Sequence, residues 1–168
     1  ANSLKVSNYI KDLRNHGMSN RNKVKNFGFV SRMDNIQAAI LNYRLLNLKN
    51  IIKKRRYNVS LYLKHLNFKN LYFKKETKDE FNTYHTFVIQ AKKRDQLKKY
   101  LYLKGIGTAI HYPVPIHLQK ASKQLGYKKT DFPITENQAK LILTLPINQF
   151  LKKSDIIYIS KQINKFYE

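Results

Sequence analysis

A chain of 168 residues, 42% apolar and 12% aromatic, can bury the core of one domain, or of a small domain with an arm attached. It has no cysteine, which excludes a disulfide framework and a thiolate metal site, and no apolar run nears the ~20 residues that cross a bilayer. The net charge of +23 would attract polyanions, but only 7 of the 33 basic residues are arginine and the lysines are scattered in pairs such as Lys53-Lys54 and Lys152-Lys153, which fits a solvated cationic surface better than a nucleic-acid reader.

The opening ANSLKVSNYIKDLRNHG lacks the apolar core of a signal peptide, so a cytoplasmic protein is expected. Residues 3–14 are predicted helical, with Leu4, Ile10 and Leu13 on one face, and a loop follows from Gly17 through 18–26. Over 33–66, with no Gly or Pro, Ile36, Ile40, Tyr43, Leu48, Ile52, Val59, Leu63 and Leu66 recur at helical steps. This predicts one long linking helix started by Asp34, or two helices broken near 47–50. Strands are expected at 70–73, 84–90 and 106–111, and helices at 94–104, 117–125 and 135–143. A last helix starts at Ser154 and buries Ile156, Ile159, Ile163 and Phe166. The order gives an α+β protein with a small sheet covered by helices. Residues 1–66 would hold the connection, loop and linking helix, and 67–168 a small C-terminal α+β domain.

Five motifs stand in one order: Leu13 to Gly17 (LRNHG); Gly28, Arg32, Asp34, Gln37, Ala38 and Ala39; Tyr84-His85; Gly105 to Gln119 (GIGTAIHYPVPIHLQ); and Phe132, Pro133, Glu136, Ala139, Leu145 and Pro146. Together they resemble the C-terminal half of the DegT/DnrJ/EryC1/StrS family of sugar aminotransferases. The resemblance implies a fold-type I small domain, pyridoxal 5'-phosphate as cofactor, and amino transfer from glutamate to a nucleotide-linked keto sugar for polysaccharide or glycoconjugate synthesis. It also implies a homodimer, or a separate N-terminal half as partner. In that family the cofactor domain and its lysine lie upstream, so this chain is expected to be a fragment that is inactive alone. The family also includes dehydratases, which leaves the reaction type open.

Arg32, near a helix start, has the planar fork and the setting to hold an anion. By resemblance its loop reaches a cofactor phosphate or the sugar nucleotide across a dimer. The family usually has Asn two residues before this Arg; here that residue is Val30, which leaves Ser31 or a backbone amide as the substitute donor, and Ser31 and Arg32 are the cofactor-binding candidates. His111, Tyr112 and His117, with Pro113 and Pro115 stiffening the backbone, are the substrate-binding candidates together with Arg32. The histidines lie across two prolines with no third ligand nearby, so no metal is expected. His16 and His85 read as structural, and Glu136 as a first-turn helix acid. Nearly every lysine lies in a polar run or on a polar helix face, away from the apolar pocket that would lower its pKa, so no catalytic residue is assigned. A basic nucleic-acid-binding module and a non-catalytic dimerisation or regulatory chain are the alternatives.

Overall fold

The computed structural model describes residues 2–168. The chain divides into two compact units, Ala1–Leu48 and Lys49–Glu168.

The first unit contains helix α1 (Leu4–Leu13), strands β1 (Met18–Asn20) and β2 (Lys23–Val24), and helix α2 (Asn35–Leu45). The expected loop over 18–26 is in fact a small antiparallel hairpin. Its turn closes where the Asn22 N–H donates to Asn20 Oδ1 at 3.0 Å, an Asx turn. Two glycines allow the chain to cross itself closely. Gly17 has φ +71, and a Cβ there would meet Asn26 O at 1.7 Å; one on Gly28 would meet Gly17 N at 2.2 Å. Around this crossing the N–H of Phe29 donates to Leu13 O at 2.8 Å, and that of His16 to Phe29 O at 3.1 Å. The Gln37 side chain reaches back to the Asp34 N–H at 3.3 Å and helps start α2.

The single long helix is corrected to two. α2 ends at Leu45, and α3 runs Leu48–His65. The Asn47 N–H turns back to Arg44 O at 3.1 Å, a three-residue closure that interrupts the four-residue ladder. In the later part of the run Val59, Leu61, Tyr62 and Leu66 are in the core of the second unit.

That core forms on a sheet of β3 (Leu71–Tyr72), β4 (Phe87–Ala91) and β5 (Ile142–Leu145), antiparallel in the order β3-β4-β5. Phe87 pairs with Leu145 and Ile89 with Leu143, so these four side chains share one face. Helices α3, α4 (Arg94–Leu103) and α6 (Lys153–Tyr167) contribute Tyr62, Leu97, Leu101, Ile156, Ile159 and Ile163 to the same core. Tyr62 stacks on Phe87 at 5.0 Å, and its hydroxyl donates to Pro146 O at 2.9 Å. On the other face Val88 and Gln90 are half-buried. Gly105, at φ +74, follows the end of α4 as a left-handed stop. The buried Arg94 guanidinium donates to Ile142 O at 3.0 Å and to Ala139 O at 3.3 Å, satisfying carbonyls where α5 (Pro133–Leu141) ends.

Several boundaries differ from expectation. β4 starts at Phe87, not at 84, because Tyr84 has φ +49 and Arg55 ties down the Tyr84 and His85 carbonyls at 3.1 and 3.2 Å. The strand at 106–111 reduces to one bridge, Ala109 to Thr144. Residues 117–125 form two 3-10 turns, Ile116–Leu118 and Lys120–Leu125, separated by an extended Gln119. The helix expected over 135–143 starts at Pro133 and gives way to β5 at Ile142.

Candidate functional site

In the first unit, Arg32 and Ser31 lie on the exposed stretch between the glycine crossing and α2. The stretch is held by its backbone: the Ser31 N–H donates to Arg14 O at 3.0 Å, and Arg14 Nε donates to Ser31 O at 3.0 Å. The Arg32 guanidinium donates one N–H to the Asn15 side-chain oxygen. A guanidinium has five donors, so the rest of the fork can meet an anion. Val30 bridges Asn15 through the backbone, and its side chain is exposed. The sequence did not single out Asn15 as the residue that holds Arg32. The only signal was its place in the LRNHG motif, and 17 residues separate the two.

In the second unit, the segment from His111 to Gln119 and helix α5 line an open groove of about 570 Å³. His111 and Tyr112 line it together, with ring centroids 5.4 Å apart and edge-on. His111 Nδ1 lies 2.9 Å from Thr144 Oγ1. Tyr112 and Ile116 are exposed along the groove, and Gln119, Thr135 and Gln138 add neutral polar groups.

His117 sits differently. It is buried, its ring packs 4.8 Å from Phe132, and its Nε2 donates to Glu136 Oε1 at 3.1 Å. The Thr130 N–H donates to the same oxygen at 2.7 Å. Burial alone would raise the Glu136 carboxyl, but the His117 and Thr130 hydrogen bonds outweigh it and hold the pKa below the ordinary value. Glu136 thus has a tertiary partner as well as its place in the first turn of α5. His117 is not among the described residues that line the groove.

A cluster elsewhere in the second unit also organises loops. Arg55 Nη1 reaches the carbonyls of Tyr84, His85 and Ile147, the last at 3.3 Å. Its neighbour Arg56 donates to both oxygens of Glu76, at 2.9 and 2.7 Å, and lies 4.5 Å from the centre of the Phe81 ring. The bond from Arg56, first, and the Asn82 N–H hold the Glu76 carboxyl down to about 2.

All lysines among the described residues are exposed, apart from the half-buried Lys98. No three His, Asp or Glu side chains among those residues gather where a metal ion could sit, and no helix is long and apolar enough to cross a membrane.

The profile of the DegT/DnrJ/EryC1/StrS aminotransferase family matches residues 1–164. The chain is 32% identical, over 99% of its length, to a "Pleiotropic regulatory protein" of Geobacillus stearothermophilus. It is 30% identical, over 98% of its length, to the dTDP-3-amino-3,6-dideoxy-alpha-D-galactopyranose transaminase of Aneurinibacillus thermoaerophilus. The structure superimposes on S. venezuelae DesV, solved in complex with a ketimine intermediate, with a TM-score of 0.91 and 28% identity over 99% of this chain and 45% of that one. The chain likewise spans 45% of the length of each of the two curated relatives.

Proposed function

The chain belongs to the DegT/DnrJ/EryC1/StrS aminotransferase family, and from that membership we propose that it is the C-terminal portion of a sugar-nucleotide aminotransferase, with glutamate as amino donor and a nucleotide-linked keto sugar as acceptor. The observation that carries this reading is the family match over residues 1–164, which takes in all five motifs. In this reading the Ser31 hydroxyl and the free part of the Arg32 fork hold an anionic oxygen of the cofactor or the sugar nucleotide. His111 and Tyr112 orient the substrate along the groove.

The donor set on this chain fits the phosphate end of pyridoxal phosphate: a hydroxyl and a guanidinium on one exposed stretch, beside a helix start. It does not furnish the imine-forming amine. Such a lysine needs desolvation or a cationic neighbour to be unprotonated at neutral pH, and the lysines among the described residues are exposed, apart from the half-buried Lys98. Bound to the complete enzyme, the cofactor supplies the electron sink for moving an amino group. This chain supplies anchoring and orientation.

Helix α2 supports a partner polypeptide. Ile36, Ile40 and Tyr43 follow one side of it and Leu41 and Leu45 another, and none is buried. A helix apolar on more than one side belongs inside an assembly. We assign its cover to the rest of the enzyme, as a separate N-terminal half or within a homodimer, in the cytoplasm. A second reading, a regulatory chain without turnover, draws on the regulatory name of the Geobacillus relative.

The test is co-expression with a polypeptide that carries the family's cofactor domain, followed by an assay of amino transfer to a nucleotide-linked keto sugar. A cofactor-loaded, active pair is expected. In that pair Arg32→Ala should raise the KM for the nucleotide sugar, or loosen cofactor retention, by about tenfold, the scale of one charge-assisted hydrogen bond. An inactive pair would favour the regulatory reading, and an unchanged KM with unchanged cofactor retention would remove Arg32 from the site.

A further inference from the structure

We propose that Thr144 is a positioning residue, whose hydroxyl donates to His111 Nδ1 and holds the imidazole in the tautomer that carries its proton on Nε2. Thr144 is 8% exposed, and its Oγ1 lies 2.9 Å from His111 Nδ1. A buried hydroxyl has one proton to place, and leaving it unpaired costs about 1–3 kcal/mol. Among the described residues this hydroxyl has a single partner, the His111 ring nitrogen. Pointing at an unprotonated Nδ1 gives that proton a partner within the protein, whereas accepting from an Nδ1–H would leave it without one among the described residues. A neutral imidazole has one donor and one acceptor nitrogen, so Nε2 carries the hydrogen.

The backbone on both sides of this contact is fixed. Thr144 is paired with Val88 inside the sheet. Its N–H donates to Ala109 O at 2.8 Å, and the Ala109 N–H donates back to Thr144 O at 3.1 Å, two residues before His111. The single bridge left of the expected strand at 106–111 thus brings the histidine over the threonine.

The consequence is chemical. His111 lines the groove and offers it a hydrogen-bond donor. No Lys, Arg, Asp or Glu is among the described residues lining that groove, so nothing there compensates a phosphate. The lining suits an uncharged acceptor oxygen, the carbonyl of a nucleobase or a sugar hydroxyl. This assignment of the ligand rests on the reading of the groove as a substrate surface; the tautomer does not.

Nitrogen–proton NMR of the 168-residue chain, at a pH where imidazoles are neutral, tests the proposal. His111 should show Nδ1 as a bare acceptor and Nε2 as the protonated nitrogen. Thr144→Val, which keeps the branched shape and the backbone pairing, should collapse that pattern toward averaged nitrogens, and Thr144→Ser should restore it. A proton on Nδ1 in the wild type would overturn the proposal, as would an unchanged pattern in a folded Thr144→Val; if that variant does not fold, the wild-type tautomer and Thr144→Ser decide. Titration with uridine, and separately with inorganic phosphate, tests the ligand class. Uridine alone should move the Nε2–H signal, and a response to phosphate alone would overturn the uncharged acceptor. An Nε2–H ring that responds to neither counts against the substrate reading of the groove and leaves the Thr144 lock standing.

Discussion

In the first unit Phe27, Ile36 and Tyr43 are 102, 72 and 78% exposed, whereas in the second Tyr62, Phe87 and Leu97 are fully covered. The first unit keeps its shape through its backbone: the crossing of Gly17 and Gly28, the bonds between residues 13–17 and 28–31, and a short hairpin. The second is organised by apolar side chains on a sheet, as a domain with its own core should be. The contrast separates two tasks. A unit with a core can hold a groove in place unaided, whereas the other presents isoleucine and phenylalanine to water.

The contrast is most open to attack through the core. Phe87→Ala removes a ring stacked on Tyr62 and tilted 5.0 Å from Phe73, and should destabilise the second unit by about 3–5 kcal/mol, read from urea unfolding. Phe27→Ala should stay within about 0.5 kcal/mol in the chain alone. Equal losses would erase the distinction between the units.

Gly28→Ala tests the backbone account of the first unit. The added carbon would press on Gly17 N and Leu13 O, so the crossing should open at a cost of about 1–3 kcal/mol. Hydrogen exchange should then speed up at Phe29 and Ser31, while the sheet of the second unit stays protected. Unchanged exchange at those two amides would contradict the account.

The smallest effect is a local one with pH. The Glu76 carboxyl is lowered from 4.5 to about 2, chiefly by Arg56. Its contribution is fully present above about pH 4.5 and fades as pH falls through about 2. The loop of residues 74–82 should loosen over that range, and Glu76→Gln should remove this pH dependence, both read from the Asn82 amide.

Much of the second unit was legible in the sequence because burial there follows local period. Ile156, Ile159 and Ile163 are spaced as a buried helical stripe, and α6 buries all three. β5 was hidden because LILTLP continues the apolar pattern of α5, and a short apolar run does not say where helix yields to strand. The strand expected at 106–111 was over-read: its residues are strand-like, but the paired edge of β5 spans only Ala109. Of the site, the sequence marked Ser31, Arg32, His111, Tyr112 and His117. It could not show that His117 faces Glu136, or that Asn15 and Thr144 hold Arg32 and His111, since these pairs lie 17 to 33 residues apart.

We propose that the imine-forming lysine is not among the lysines of residues 1–168. Incubation of the purified 168-residue chain with pyridoxal phosphate, reduction with borohydride and peptide mapping tests it most directly, with an amination assay on the same sample. We expect weak labelling spread over the exposed lysines and no turnover; stoichiometric labelling of one lysine together with amination of a keto sugar would contradict it.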